Sequence, residues 1–293
     1  MECMNPHGTL PAETEPGTVA LRVSDPDRVA TFYERVIGLA RRDTDDRTVL
    51  AAGEEPLVVL LHDDEARARA ADEVGLFHTA FLVPDRPALG DALSRIESEW
   101  SLDGASDHLV SEALYCTDPE GNGVEVYRDY PRERWPVDPD GTVGIGTEPL
   151  DLDGVRGAAG GAARAPPATT VGHVHLEVSA LAASERFYGE TVGLGVKRRL
   201  GGRASFLAAG DYHHHLGLNV WGGRSTPGSG RGLAWFELRV PTVAAMEAVR
   251  ARVADEHLHP TDGQGIELTD PDGIRLRLSV AGEVSAERGC ERV

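Results

Sequence analysis

The chain has 293 residues, 41% apolar and 26% charged, which is room for two domains with a sizeable core and the composition of a folded protein. Against 48 Asp and Glu stand 29 Lys and Arg, a formal charge of −19, and this acidic balance argues against nucleic acid, whose phosphates need clustered cations. No run of about 18 apolar residues exists to span a membrane, the first residues lack the basic and apolar runs of a signal peptide, and Cys3, Cys116 and Cys290 are too few for a disulfide framework. The expectation is a soluble, cytoplasmic protein with no membrane partner. Lys197 is the sole lysine; a high-salt cytoplasm, where screening removes the self-repulsion of an acidic surface, and the codon bias of a GC-rich genome both account for that.

The chain repeats itself. Residues 17–39, GTVALRVSDPDRVATFYERVIGL, align without a gap onto residues 172–194, GHVHLEVSALAASERFYGETVGL, and such self-similarity decides the architecture. A second pair lies downstream, GLFHTAFLVP at 75–84 against GLAWFELRVP at 232–241, each followed by an Asp-Pro-acidic-Gly turn at 118–121 and 270–273. Four modules result, in the order A, B, A′, B′.

Module A opens on a strand, because Val19, Leu21 and Val23 alternate with other residues. Ser24-Asp25-Pro26 then supplies an N-cap and a first-turn proline. Val29, Phe32, Tyr33, Val36 and Ile37 fall at helical spacing, and Gly38 offers a stop. Short strands are expected at residues 58–61, 206–208 and 213–220, so each module reads β-α-β-β-β. Residues 131–170, rich in Pro, Gly and Ala, read as a linker between a first half at 17–130 and a second at 171–281, with tails at 1–16 and 282–293.

Alternation puts His173, His175 and Glu177 on one face of their strand, and His78, Ala80 and Leu82 on one face of theirs. Glu125 lies on a strand between Val124 and Val126. Two imidazoles and one carboxylate are the donor set of a facial triad, which leaves positions open on a non-haem Fe(II). Cys116 reads as a small buried hydrophobe rather than a nucleophile.

The modules resemble the vicinal oxygen chelate superfamily, and within it the extradiol dioxygenases of the catechol 2,3-dioxygenase kind. The likeness rests on Gly172-His173-Val174, Tyr212-His213-His214-His215, the segment Ser106-Asp107-His108-Leu109-Val110-Ser111 through Tyr115, and Asp118-Pro119-Glu120-Gly121-Asn122-Gly123-Val124-Glu125. It implies an α+β fold in which βαβββ modules pair into cupped open sheets around a metal held by two His and one Glu. Carried onto this chain, A paired with B offers Thr18, His78 and Glu125, while A′ with B′ offers His173, Trp235 and Arg277. Only B with A′ gives a full set, His78, Glu125 and His173. The expected pairing is therefore crossed, first module with fourth and second with third, leaving Thr18, Trp235 and Arg277 in a degenerate cup.

The same resemblance implies Fe(II), with Mn(II) as the second metal, and a small aromatic diol and O₂ as reactants. It makes His214 the acid-base residue, His108 a contact to substrate, and Tyr115 a hydrogen-bond partner of a substrate oxygen. Alternation sends His213 and His215 one way and His214 the other, so which of the three faces the cup stays open, as does homo-oligomer formation. Asn219 and Trp221 read equally as pocket lining or as ordinary strand-end residues. A glyoxalase-like lyase, isomerase or resistance enzyme using Ni, Mn or Zn in the same cup is the alternative function, and a metal-free binding protein the second.

Overall fold

The structure, a computed structural model, describes residues 9–44, 47–139, 141–259, 261 and 265–282; the expectations for Cys3, Cys290 and the outer parts of both tails lie outside these. The first half runs β1 (Glu15–Val23), α1 (Pro26–Phe32), β2 (Ala40–Asp43), β3 (Thr48–Ala52) and β4 (Glu55–His62). It continues through β5 (Gly75–Leu82), α2 (Arg86–Glu99), β6 (Gly104–Asp107), β7 (Ser111–Thr117) and β8 (Gly123–Asp129). After α3 (Leu152–Gly157) the pattern returns as β9 (Thr170–Glu177), α4 (Leu181–Arg186), β10 (Gly195–Leu200), β11 (Ala204–Ala208) and β12 (Leu216–Asn219). The last module is β13 (Gly232–Val240), α5 (Val243–Arg250), β14 (Leu258–His259), β15 (Ile266–Thr269) and β16 (Arg275–Val280). Among the described residues no helix is long and apolar enough to cross a membrane.

Two eight-stranded sheets form, in the orders β14-β15-β16-β13-β1-β4-β3-β2 and β10-β11-β12-β9-β5-β8-β7-β6. Antiparallel β1 and β13 join the first module to the fourth, and antiparallel β5 and β9 join the second to the third. The pairing is crossed, as the donor residues require. Helices pack on one face of each sheet, and Val29, Tyr33, Leu89, Ile96, Tyr188 and Val249 lie in a buried core common to the two sheets.

Asp25 caps α1, accepting from the Arg28 amide at 3.0 Å, with Pro26 behind it. The expected helix through Ile37 ends differently: Tyr33–Ile37 and its repeat Phe187–Val192 are π turns. The amides of both Gly38 and Leu39 close on the Tyr33 carbonyl, at 2.9 and 3.0 Å, and Gly38 sits at φ 91°, open to glycine. The wider turn leaves end carbonyls free. Arg95 on α2 meets those of Val36 and Ile37, and Arg252 does the same for Thr191 and Val192.

The two Asp-Pro turns fasten one sheet to the other. Glu120 accepts from the Ser24 amide and hydroxyl and from the Asp25 amide at 2.8–3.0 Å, at the entrance of α1. Asp272 takes the Ser179 amide and hydroxyl in the same way before α4. In residues 131–170, Val155 of α3 is fully buried and the Ala165 amide bonds the Gly38 carbonyl. At the N-terminus the Thr9 and Leu10 amides both reach the Gly193 carbonyl.

Residues 58–61 and 206–208 lie inside β4 and β11, but the strand expected at 213–220 begins only at Leu216. Residues 213–215 form the bend entering β12, where the His213 and His214 side chains bond to each other, His213 bonds to Asp129 of β8, and His215 accepts from the Ala209 amide.

Candidate active site

β5 is the middle strand of the complete cup, with β8 parallel on one side and β9 antiparallel on the other. Its Ala80 stands opposite Glu125 on β8 and opposite His173 on β9. His78, two residues away, shares the face of Ala80. The methyl of Ala80 leaves the space between the three larger side chains open. Gly172 is required by the same crowding, because a Cβ there would lie 1.9 Å from the Tyr127 hydroxyl.

The donors converge. His78 Nε2 is 3.0 Å and His173 Nε2 is 3.2 Å from Glu125 Oε2, and the two ring nitrogens are 3.3 Å apart. All three residues are buried. Three mutually adjacent sites of an octahedron with metal–donor bonds of about 2.1 Å are separated by about 3.0 Å, so the triangle has the dimensions of a facial metal site. Without a cation, two imidazole nitrogens face each other with a single hydrogen position between them, whereas a metal takes all three lone pairs. The residues fit the group.

Charge follows. Burial pushes the Glu125 carboxyl upward, but His173 and His78 outweigh it and hold it well below the usual carboxylate range. Burial drives His173 down to about 4, so at neutral pH it is an imidazole, the form that ligates.

The other sequence-derived residues surround this triangle. Tyr115 on β7 is paired with Glu125 in register, and its ring centroid is 5.8 Å from that of His78. Its hydroxyl lies 2.6 Å from His108 Nε2, so the β6–β7 hairpin brings these two together. Burial, with Glu125 adding to it, raises the Tyr115 phenol well above its ordinary value. The phenol is a donor at all physiological pH.

His214 packs on the triad, its ring 4.1 Å from that of His173 and 4.9 Å from Phe206. His213 is fully buried against Tyr212 and Trp135. His215 turns away, stacking on Tyr212 and accepting from the Ala209 amide.

Tyr127, Asp129 and His175 also face the cup; the sequence placed His175 on the face of His173 without giving it a role, and did not single out Tyr127 or Asp129. The Tyr127 hydroxyl is 2.9 Å from that of Tyr212, which donates to Asp129. His175 lies over Gly217, where a Cβ would meet the imidazole at 2.8 Å, and its Nε2 is buried without a partner. Phe77 and Trp221 close over it as an aromatic rim, 38% and 41% exposed. Period-two alternation from Glu125 along β8 and from His173 along β9 points to all three. Asn219 serves the backbone, donating to the Leu176 carbonyl and accepting from the Trp221 amide.

At the matching places of the other sheet the Arg277 guanidinium covers the Trp235 ring at 4.1 Å and pairs with Glu267, while Glu237 accepts from the Thr18 amide. Those groups satisfy one another.

A family model described as the Glyoxalase/Bleomycin resistance protein/Dioxygenase superfamily matches residues 16–126. The chain is 34% identical over 279 residues to the catechol-2,3-dioxygenase of Bacillus subtilis (strain 168), covering 92% of this chain and 95% of that protein. Among solved structures, a putative dioxygenase from Bacillus subtilis subsp. subtilis str. 168 superposes with a TM-score of 0.61 at 16% identity, over 91% of this chain and 84% of that one. Glyoxalase I from Zea mays superposes with 0.56 at 18% identity, over 91% and 92%; both structures share the fold. On the breadth and identity of the match to its curated relative, the chain belongs to the glyoxalase/bleomycin resistance protein/dioxygenase superfamily.

Proposed function

We propose that the protein is an extradiol ring-cleaving dioxygenase that opens a catechol-type aromatic, with a non-haem Fe(II) held by His78, Glu125 and His173. The observation that carries this reading is the buried triangle of two imidazoles and one carboxylate, flanked by Tyr115 with His108 and by His214. The curated relative named catechol-2,3-dioxygenase supports it. Bound there, Fe(II) supplies chelation of both diol oxygens, a site for O₂ and electron exchange between them.

The chain's own residues do the rest. His214 takes the proton from a phenolic O–H and later returns one to the product, work suited to an imidazole. Tyr115 orients a substrate oxygen, and His108, which accepts the Tyr115 hydroxyl, fixes where that phenol points. Phe77, beside His78, and Trp221 form an aromatic rim over His175 and give the aromatic ring apolar surface to pack on.

The test is oxygen uptake by the protein loaded anaerobically with Fe(II), and separately with Mn(II), across a catechol panel. One O₂ consumed per diol with a yellow ring-opened product is expected. Metal-loaded, folded protein that consumes no O₂ with any diol, yet isomerises a thiol–aldehyde adduct, would overturn the reading in favour of a glyoxalase-like enzyme.

A further inference from the structure

Asp129 closes β8, on the face that carries Glu125 and Tyr127. Its Oδ2 accepts the Tyr212 hydroxyl at 2.9 Å, and its Oδ1 lies 3.0 Å from His213 Nε2. A carboxylate receiving a phenolic hydrogen bond is an acceptor, so His213 meets it with an Nε2–H. A neutral imidazole protonated at Nε2 is bare at Nδ1. His213 Nδ1 is 2.7 Å from His214 Nδ1, and the hydrogen between them must then come from His214. That leaves a lone pair on His214 Nε2, which no group among the described residues engages. Trp135, 5.1 Å from the His213 ring, and Phe206, against His214, hold both rings in place.

We propose that Asp129, acting through His213, is a positioning pair for His214: it fixes His214 as the Nδ1–H tautomer and keeps Nε2 bare to receive the substrate's phenolic proton. The inference rests on the dioxygenase reading for the identity of that proton. In the step, the phenolic O–H bond breaks, an N–H bond forms at His214 Nε2, and the electron pair stays on the oxygen. The new imidazolium shares its Nδ1–H with His213, and the Asp129 carboxylate at the far end balances the charge, as the third member of a hydrolase triad does for its histidine.

The test reads the tautomer itself. Long-range ¹H–¹⁵N spectra of histidine-labelled protein, both metal-free and Zn(II)-substituted, should show His214 with a pyrrole-type Nδ1 and a pyridine-type Nε2, and His213 with the reverse. A proton on His214 Nε2, or an imidazolium at His213, overturns the proposal. His213→Leu, which removes the acceptor, should lower kcat about 10–100-fold, as loss of an outer-shell partner does, with KM and metal content little changed. His213→Gln, whose carbonyl can accept the same hydrogen, should recover most of that loss; equal damage in both variants overturns the proposal. The spectra need neither iron nor turnover, so failure of the ring-cleavage assay and failure of this inference are separate results.

Discussion

The Tyr115 hydroxyl is bound to His108, and His108 is bound in turn to the main chain: 2.6 Å separates the hydroxyl from Nε2, and 2.7 Å separates Nδ1 from the Gly146 carbonyl oxygen. A carbonyl only accepts, so Nδ1 carries the proton, and in the neutral imidazole Nε2 takes the one from Tyr115. His108 stands beside Leu109, which at φ 69° makes the tight turn between β6 and β7. On the proposed dioxygenase reading the two sides of the cup differ in role, with an orienting pair at Tyr115 and a proton carrier at His214.

Tyr115→Phe should be mild, removing one hydrogen bond worth about 0.5–1.5 kcal/mol. His214→Phe should lose about 10²–10⁴-fold in turnover, the range for a positioned proton-transfer group, while metal content and anaerobic substrate binding persist. Steady-state kinetics with metal analysis checks both; wild-type turnover in His214→Phe would assign the proton carrier elsewhere.

Single Ala variants of His78, Glu125 and His173 should each take bound metal from one per chain to near none, because these are the three donors the described residues bring together. Arg277→Ala, in the other cup, should leave metal content untouched. Elemental analysis of folded protein decides.

Glu120→Ala should destabilise the fold by about 1–3 kcal/mol, because it leaves the Ser24 and Asp25 amides at the start of α1 without their acceptor. The expected readout is a lower urea midpoint with an unchanged slope. An unchanged midpoint would mean that the Asp-Pro turns do not fasten the sheets.

The metal-free protein should lose stability as pH falls. Burial, then His213, pushes His215 down to about 3, whereas an unfolded histidine titrates near about 6.5. Between those values the unfolded chain binds a proton that the folded one does not, so unfolding gains. His173, His175 and His214 are lowered by burial and add the same sign. The melting temperature in chelator should be level above about pH 7 and fall steadily from about pH 6.5 toward about pH 4. A rise on acidification would contradict these buried, neutral imidazoles.

The crossed topology was legible because the family resemblance calls for two His and one Glu and only one combination of modules supplies all three donors, and strand faces were legible from period-two alternation at His78, Glu125 and His173. Alternation failed at residues 213–215, where the chain bends before β12 begins and His213 bonds to Asp129. The π turns at Tyr33 and Phe187 also escaped, since apolar spacing over one turn is nearly the same for α and π geometry. Tyr127 and Asp129 could have been found by carrying the alternation of β8 two and four residues past Glu125. The partner that makes Asp129 matter, His213, lies on a distant bend, and no local pattern brings the two together.

The most direct measurement is anomalous diffraction at the iron edge from crystals of the Fe(II)-loaded protein. One peak per chain is predicted, about 2.0–2.2 Å from His78 Nε2, His173 Nε2 and a Glu125 carboxylate oxygen, with its remaining positions facing Tyr115 and His214. A peak bound elsewhere, or iron in the cup of Thr18 and Trp235, would contradict the account.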